Sequence, residues 1–410
     1  MTGRRTLRTV AAIAALSIAD HHGRAAEQIH ISRVQHVVVC SSKSTFCAWP
    51  RQCGIANFGH GEIVVLHHHA PSAYRDIADI SHAAVPDRSV VLLQRSSDGG
   101  ETWPRRDDVT VWRSDIPTDQ RKKLVFHDQT LPQIDMSQPG AMFYFGRDRF
   151  GTALTRSFVL RSIDKGHTWD SPIAPFPVPP SAKDWVLKDN HPPVHLKDGS
   201  WLVAATVDKE VWIYRSRDNG QSWEHISKLV SQPASGRYSY AGLILLRDGT
   251  LQGYTLHIQA PASDKAVRHS INAICVAESR DGGRTWGELR PIVRPEGATA
   301  WGSPEKIVET GGAANSYRSP WPMLLRDGRI IVLFARRLPP FGIGVVASSD
   351  NGRTWSDEVP LRRDGASWDL GYPVATQLDD GRIFTAYYYC VGGDYMSSPR
   401  HIAATLFRVD

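Results

Sequence analysis

The sequence predicts an all-β fold, a six-bladed β-propeller, and three observations lead there. The first is a motif, Ser-x-Asp-x-Gly-x-Thr/Ser-Trp, written five times: SSDGGETW from Ser96, SIDKGHTW from Ser162, SRDNGQSW from Ser216, SRDGGRTW from Ser279 and SSDNGRTW from Ser348. Its aspartates, Asp98, Asp164, Asp218, Asp281 and Asp350, lie 66, 54, 63 and 69 residues apart, a period of the size that marks propellers and solenoids. The second is what feeds each motif: short β-like runs such as VVLLQRSS, SFVLRS and VWIYRSR. The third is another repeat between the motifs, seen in HPPVHLKDGSWLVAATVD, YAGLILLRDGTLQGYTLH, SPWPMLLRDGRIIVLFARR and YPVATQLDDGRIFTAYYY. Each is an apolar run, a tight turn (mostly Asp-Gly) and a second apolar run, the pattern of a β-hairpin.

Two further stretches complete the set. LPQIDMSQPGAMFYFGRD reads as one more inner hairpin, and WPRQCGIANFGHGEIVVLHHH as a degenerate sixth. Setting aside 26 residues of 410 leaves 384, or 64 for each of six units, the size of a four-stranded blade. The sixth unit has no outer motif, so IHISRVQHVVV near the N-terminus is expected to supply its missing strand and close the ring. Within the five motifs, Asp accepts backbone N–H groups across the turn and Gly supplies positive φ. Trp wedges between neighbouring sheets. Alternating βα units are excluded, because no amphipathic helical pattern of 10–15 residues separates the strands.

Composition narrows the class. Charged residues make up 22% and hydrophobic ones 41%, with 13 Trp and a formal net charge of +6. The basic residues are scattered among acids with no basic run, which argues against nucleic acid as a partner. Residues 1–26 read as an export signal: Arg4, Arg5 and Arg8, then the apolar run from Val10 to Ala19, then small residues before a cut near Ala25 or Ala26. That run is too short to span a bilayer, which needs about 20 apolar residues. GRRTLR weakly matches a twin-arginine signal, so the expected location is periplasmic or secreted, with 27–410 a single propeller domain. Of five cysteines, one pair among Cys40, Cys47 and Cys53 is a candidate for oxidation after export, while Cys275 and Cys390 read as buried filler. His67 and His69 share a strand face but would need a third ligand from another strand. No metal site and no cofactor is assigned.

The five motifs resemble the Asp-boxes, or BNR repeats, of the sialidase superfamily of six-bladed propellers, and WDLGYPVATQLDDGRIFTAYYY…RHIAATLF resembles secreted bacterial sialidase-like proteins. The resemblance covers nearly the whole chain after the export signal. It implies a sialidase-like propeller whose Asp-boxes sit away from the active site. It further implies three arginines that hold a substrate carboxylate, a Tyr nucleophile paired with a Glu, and an Asp acid/base. An anionic sugar needs fixed cations of matching bidentate geometry. A neutral phenol approaches a carboxylate-bearing anomeric centre with less repulsion than a carboxylate would.

In a propeller the inner strands run side by side along the axis, so residues at their starts converge on one mouth. Nine positions before each turn stand Arg51, Thr130, Asp189, Ser239, Arg318 and Gly371, with His191, Tyr238, Tyr240 and Tyr372 nearby. Arg318-Ser319-Pro320 matches the family's Arg-x-Pro, and Tyr372 in GYP falls at the position of the nucleophile. Asp76, in SAYRDIADISH, fits the acid/base loop, with Asp79 as its alternative. Partners for Arg318 on the carboxylate are sought among Arg51, Arg237, Arg336 and Arg147, with Tyr240 beside them. The departures are Ala48 where the first arginine is usual, no Glu in GRYSYAGLILLRDG, and Tyr388 where another family Glu would stand. Tyr372 is therefore expected to rely on an arginine or on His191, and His191 with Asp189 is the fallback acid–base pair. The expected activity is a sialidase-like exo-glycoside hydrolase acting on an acidic oligosaccharide or polysaccharide. The alternatives are a uronic-acid glycan lyase or hydrolase, and a glycan-binding propeller without catalysis.

Overall fold

The computed structural model describes residues 28–50, 53–82, 84–152, 155–182, 191–231, 236–259, 269–293, 314–315, 317–393 and 395–410. The export signal expected at 1–26 lies outside them. The described chain forms six antiparallel sheets set as the blades of a propeller. Strand β1 (Ile31–Cys40) comes first. Blade one follows with β2 (Thr45–Ala48), β3 (Ile55–Gly59), β4 (Glu62–Pro71), β5 (Val90–Ser96) and β6 (Val109–Arg113). Helix α1 (Ile77–Ile80) lies between β4 and β5, and α2 (Thr118–Val125) leads to blade two: β7 (Met142–Asp148), β8 (Arg156–Ser162) and β9 (Ala174–Pro175). Blade three is β10 (Val194–His195), β11 (Trp201–Val207), β12 (Glu210–Ser216) and β13 (Glu224–Val230). Blade four is β14 (Arg237–Leu245), β15 (Leu251–Gln259), β16 (His269–Ser279) and β17 (Arg290–Val293), with β18 (Ala314–Asn315) parallel to β16. Blade five is β19 (Tyr317–Leu324), β20 (Ile330–Arg336), β21 (Gly342–Ser348) and β22 (Val359–Arg362); blade six is β23 (Gly371–Gln377), β24 (Ile383–Tyr389) and β25 (His401–Val409).

The ring closes as the repeat count requires. β1 pairs antiparallel with β25, from Ile31 opposite Val409 to Cys40 opposite Ile402, and becomes the fourth strand of blade six. Two inner strands depart from the hairpin pattern. LPQIDMSQPG forms no strand, so blade two has three; Pro132 and Pro139 carry no N–H for a ladder. In blade one the inner strand is broken into β2 and β3, both paired with β4, around a segment holding Pro50 and two residues at positive φ, Trp49 (57°) and Cys53 (68°).

Each Asp-box is a closed hydrogen-bonded turn. In the first, Ser96 Oγ donates to Asp98 at 2.7 Å and accepts from Gly100 N–H at 2.9 Å. Asp98 also accepts from the Glu101 N–H (3.0 Å) and from the Thr102 N–H (2.9 Å) and hydroxyl (2.5 Å). Trp103 Nε1 donates to Gly100 O at 3.0 Å. The pattern recurs, except that Trp286 of the fourth box donates to Ser227 Oγ at 3.2 Å. The boxes also join blades. Gly100 (φ +92°) lies so close to Phe384 of blade six that a Cβ would sit 2.5 Å from its ring, and Gly166 (φ +85°) would meet Leu93 of blade one at 2.4 Å. The arginine just before each of the first three boxes reaches the box of the following blade. Arg95 donates to Lys165 O at 2.8 Å, Arg161 to Asn219 O at 3.0 Å, and Arg215 to Gly282 O at 2.9 Å.

Two outcomes follow from this geometry. Arg161→Ala removes a fully buried guanidinium and strands Asp170, its partner at 2.6 Å; chemical unfolding should show a loss of about 3–5 kcal/mol. Asp281→Ala, which breaks an exposed turn, should cost about 1–2 kcal/mol. Acid should find the same turns. The Thr285 hydroxyl and backbone N–H groups hold Asp281 down at about 2, and the Thr102 bonds bring Asp98 to about 2 against the opposing effect of burial. Both folded-state values lie below the unfolded carboxylate, near 3.9. Their stabilisation is therefore complete above about pH 4 and lost as pH falls towards 2. Melting temperature followed across that window should drop less steeply in Asp281→Asn than in wild type.

Candidate active site at the channel mouth

Three inner strands share one local distortion. The register slips between Ser239 and Gly242, between Arg318 and Trp321, and between Gly371 and Val374. Within each slip one non-glycine residue is left-handed: Tyr240 (φ 59°), Ser319 (45°) and Tyr372 (52°). Trp49 (57°), next after Ala48 at the end of β2, takes the matching place in blade one. A bulge of this kind re-aims a side chain, and left-handed backbone at bulky residues costs about 1–3 kcal/mol unless its surroundings impose it. Ser239, Arg318 and Gly371, aligned by counting back from the turns, do occupy equivalent positions.

The bulges bring together a connected chain of side chains. The Arg318 guanidinium lies over the Tyr240 ring, 5.1 Å from its centre. The Tyr240 and Tyr372 hydroxyls are 3.3 Å apart. Arg337 lies 5.6 Å from the Tyr372 ring centre, and Tyr372 stacks on Tyr388 at 5.7 Å. Arg337 is anchored from behind, Nε donating to Leu370 O and Nη2 to the Tyr388 hydroxyl, both at 2.9 Å. Tyr388 in turn donates to Asp369 at 2.7 Å.

Asp369 is wholly buried and serves three partners. Besides Tyr388 it accepts from Arg400 Nε at 2.9 Å, and its Oδ1 lies 2.8 Å from His82 Nε2. Burial alone would raise its pKa. The charges and hydrogen bonds of His82 and Arg400, with the Tyr388 hydroxyl, outweigh it and hold the carboxyl well below the usual range. His82 is the exposed member, its ring 4.9 Å from that of Trp49 and 6.4 Å from that of Trp368. Arg400 spends Nη1 on Ser398 O at 2.8 Å, which leaves its buried Nη2 without a hydrogen-bond partner among the described residues. This network therefore carries three guanidiniums, from Arg318, Arg337 and Arg400, against one carboxylate.

The remaining residues singled out in the sequence are distributed as follows. Asp76 is exposed and caps α1, accepting from Ala78 N–H at 2.7 Å and Asp79 N–H at 3.3 Å, while Asp79 accepts from Arg75 N–H at 2.8 Å. His191 lies further down the axis, its ring 4.3 Å from that of Trp321 and Nε2 2.8 Å from Pro322 O. Burial lowers its pKa to about 4, so it is neutral at physiological pH. It lines an axial cavity of about 280 Å³ with Ile55, Ile244, Trp321 and Ala375. Arg336 pairs with Glu358 at 3.0 Å in a cleft of about 690 Å³ between blades four and five. Arg237 is exposed at the start of β14, Arg147 lies on β7, and Thr130 is an exposed loop residue. Arg51 and Asp189 lie outside the described residues.

Four members of the network escaped the sequence reading: Arg337, Asp369, Arg400 and His82. Arg337 is the immediate neighbour of Arg336, just past the end of β20, and meets Leu370 and Tyr388 where Arg336 meets Glu358. Asp369 and Arg400 lie within the very segments that carry the resemblance, two residues before Gly371 and one before β25. His82 ends the loop in which Asp76 was sought.

A six-bladed propeller with Asp-boxes has the sialidase-like fold. Residues 71–258 match the BNR repeat-like domain. No curated protein matches it. Among solved structures, a protein of unknown function from Dyadobacter fermentans is 20% identical, with a TM-score of 0.67 over 93% of this chain and 99% of that one. A Hadza microbial sialidase is 18% identical, with a TM-score of 0.52 over 88% of this chain and 65% of that one. A variant of NanB sialidase from Streptococcus pneumoniae is 12% identical, with a TM-score of 0.56 over 93% and 70%. At such identities the likeness is one of fold.

Asp369 should prove the keystone of the mouth. Asp369→Asn leaves Arg400 buried without a counter-charge, and denaturant unfolding should show a loss of about 3–5 kcal/mol.

Proposed function

We propose that this protein is an exported glycoside hydrolase of the sialidase type, removing a terminal carboxylate-bearing sugar from an acidic glycan. The observation that carries the reading is the connected mouth network, in which the Tyr372 hydroxyl is set between Tyr240 and fixed arginines. Three guanidiniums against one carboxylate leave the mouth positive, which favours an anionic ligand. The part-exposed Arg318 supplies a planar group suited to a carboxylate.

In this reading Tyr372 passes its hydroxyl proton through the Tyr240 hydroxyl, 3.3 Å away, to water at the mouth, and its oxygen attacks the anomeric carbon as the glycosidic bond breaks. The positive charge of Arg337 and Arg318 offsets the cost of developing phenolate character at its oxygen. His82, oriented by Asp369, gives its proton to the departing oxygen and then takes one from the water that releases the sugar from Tyr372. Histidine serves both directions because its ordinary pKa lies near neutrality. Asp76 keeps its helix cap and is no longer needed as the acid.

The exposed His82, backed by buried Asp369, also suits a second reading, elimination from a uronic acid glycan. There His82 would remove the proton beside the carboxylate and Tyr372 would protonate the leaving oxygen. Product analysis separates the two, since elimination leaves a double bond that absorbs in the ultraviolet.

Assay on sialyl and uronyl substrates decides the matter. Tyr372→Phe and His82→Gln should each lower turnover about a hundredfold or more, with melting unchanged for His82→Gln. Asp76→Asn keeps an equally good cap and should leave turnover near wild type. Near-normal turnover in both Tyr372→Phe and His82→Gln would sink the assignment. Binding of an acidic glycan without any turnover would leave a lectin-like propeller instead.

A further inference from the structure

The seam where the ring closes holds a cluster that the site at the mouth does not use. β1 belongs to blade six, whereas β2 and β4 belong to blade one, and the three strands meet here. Cys40 is the last residue of β1, and Cys47, on β2, lies opposite His69 of β4. The two sulfurs are 3.1 Å apart, and both thiols are free and buried. A ring nitrogen of His69, which is only part-buried, completes a set of three donor atoms all within 4.8 Å of one another. His67 stands on the same face of β4, its Nε2 2.9 Å from Gln94 Oε1 and its Nδ1 3.2 Å from the carbonyl of His68. His68, on the opposite face, lies 2.9 Å from Ser89 Oγ and takes no part.

We propose that Cys40, Cys47 and His69 form a binding site for a thiophilic divalent cation of the zinc class. The donor chemistry selects the ion, since two thiolates and one imidazole suit zinc far better than magnesium or calcium. The spacing suits it as well. Zn–S bonds of about 2.3 Å and Zn–N bonds of about 2.0–2.1 Å place tetrahedral donors between the present sulfur contact and the 4.8 Å limit, within reach of small side-chain rotations. Water takes the fourth position. His67, held by Gln94, packs beside the site as a supporting group rather than a ligand. Both thiols lose their protons as the metal binds. The ion would tie the outermost strand of blade six to the inner strands of blade one, beside the β1–β25 pairing that closes the ring.

The test uses the full chain purified without chelators. Elemental analysis should find one zinc per chain, and alkylation should reach Cys40 and Cys47 only after a chelator is added. Replacement by Co2+ should produce a thiolate-to-cobalt charge-transfer band. The chelator should lower the melting temperature of wild type, with no such drop in Cys40→Ser or Cys47→Ser. Should those variants fail to fold, His69→Gln, which spares both thiols, should still weaken Zn2+ binding by more than the roughly 10- to 100-fold that losing a supporting partner costs. Failure of the reduced protein to bind Zn2+ overturns the proposal. So does recovery of Cys40 and Cys47 as a metal-free disulfide, two hydrogens lighter.

Discussion

Arg161 donates from all three of its nitrogens: to Asp170 at 2.6 Å, to Pro132 O at 2.9 Å, and to Asn219 O at 3.0 Å in the Asp-box of the following blade. Its guanidinium is buried and fully satisfied, and it joins two sheets that share no ladder. Arg95 and Arg215 make the same reach one blade earlier and one blade later. The carbonyl each arginine finds is presented by a turn whose own shape depends on Asp, Ser and Gly. The box and the arginine before it are thus two halves of one joint. Blade packing then rests on a polar contact of fixed direction as well as on apolar burial, and fixed direction keeps the inner strands in register with one another.

That register is what the mouth requires. A network running from Arg318 through Tyr240, Tyr372, Arg337 and Tyr388 to Asp369 draws on blades four, five and six, and through His82 on a loop of blade one. No single blade contains it. Each bulge carries local strain, which persists where the surrounding structure imposes it.

The fold was legible because propeller repeats are written as local turn chemistry. Asp-box spacing, Asp-Gly hairpins and the unpaired N-terminal strand each correspond to a feature of the structure. Blade two's missing inner strand was legible too, in the prolines of LPQIDMSQPG, but the repeat pattern argued against giving them weight. The site was half legible. Counting back from the turns aligned Arg318 with Gly371 because each stands the same distance before the Asp of its turn, Asp327 and Asp380. It could not find Arg337, Asp369 or Arg400, which lie beyond strand ends, where the period of two no longer says which way a side chain points. His82 was hidden for a related reason. Its place depends on a four-residue helix capped by Asp76, and a cap and a catalytic acid look alike in a sequence.

The same residue type performs two tasks in this molecule, and what separates them is the acceptor. Arg161 is closed, with every nitrogen spent on the protein. Arg400 spends two nitrogens on Asp369 and Ser398 and keeps Nη2 buried without a partner among the described residues. Leaving a buried donor unmade costs about 1–3 kcal/mol. Asp369, hydrogen-bonded to Arg400 and 2.8 Å from His82, keeps both side chains oriented. The strain at Tyr372 and the unmade bond at Arg400 are both local costs that the fold sustains at the mouth, and the Nε atoms of Arg95 and Arg215 carry a like cost at the joints between blades.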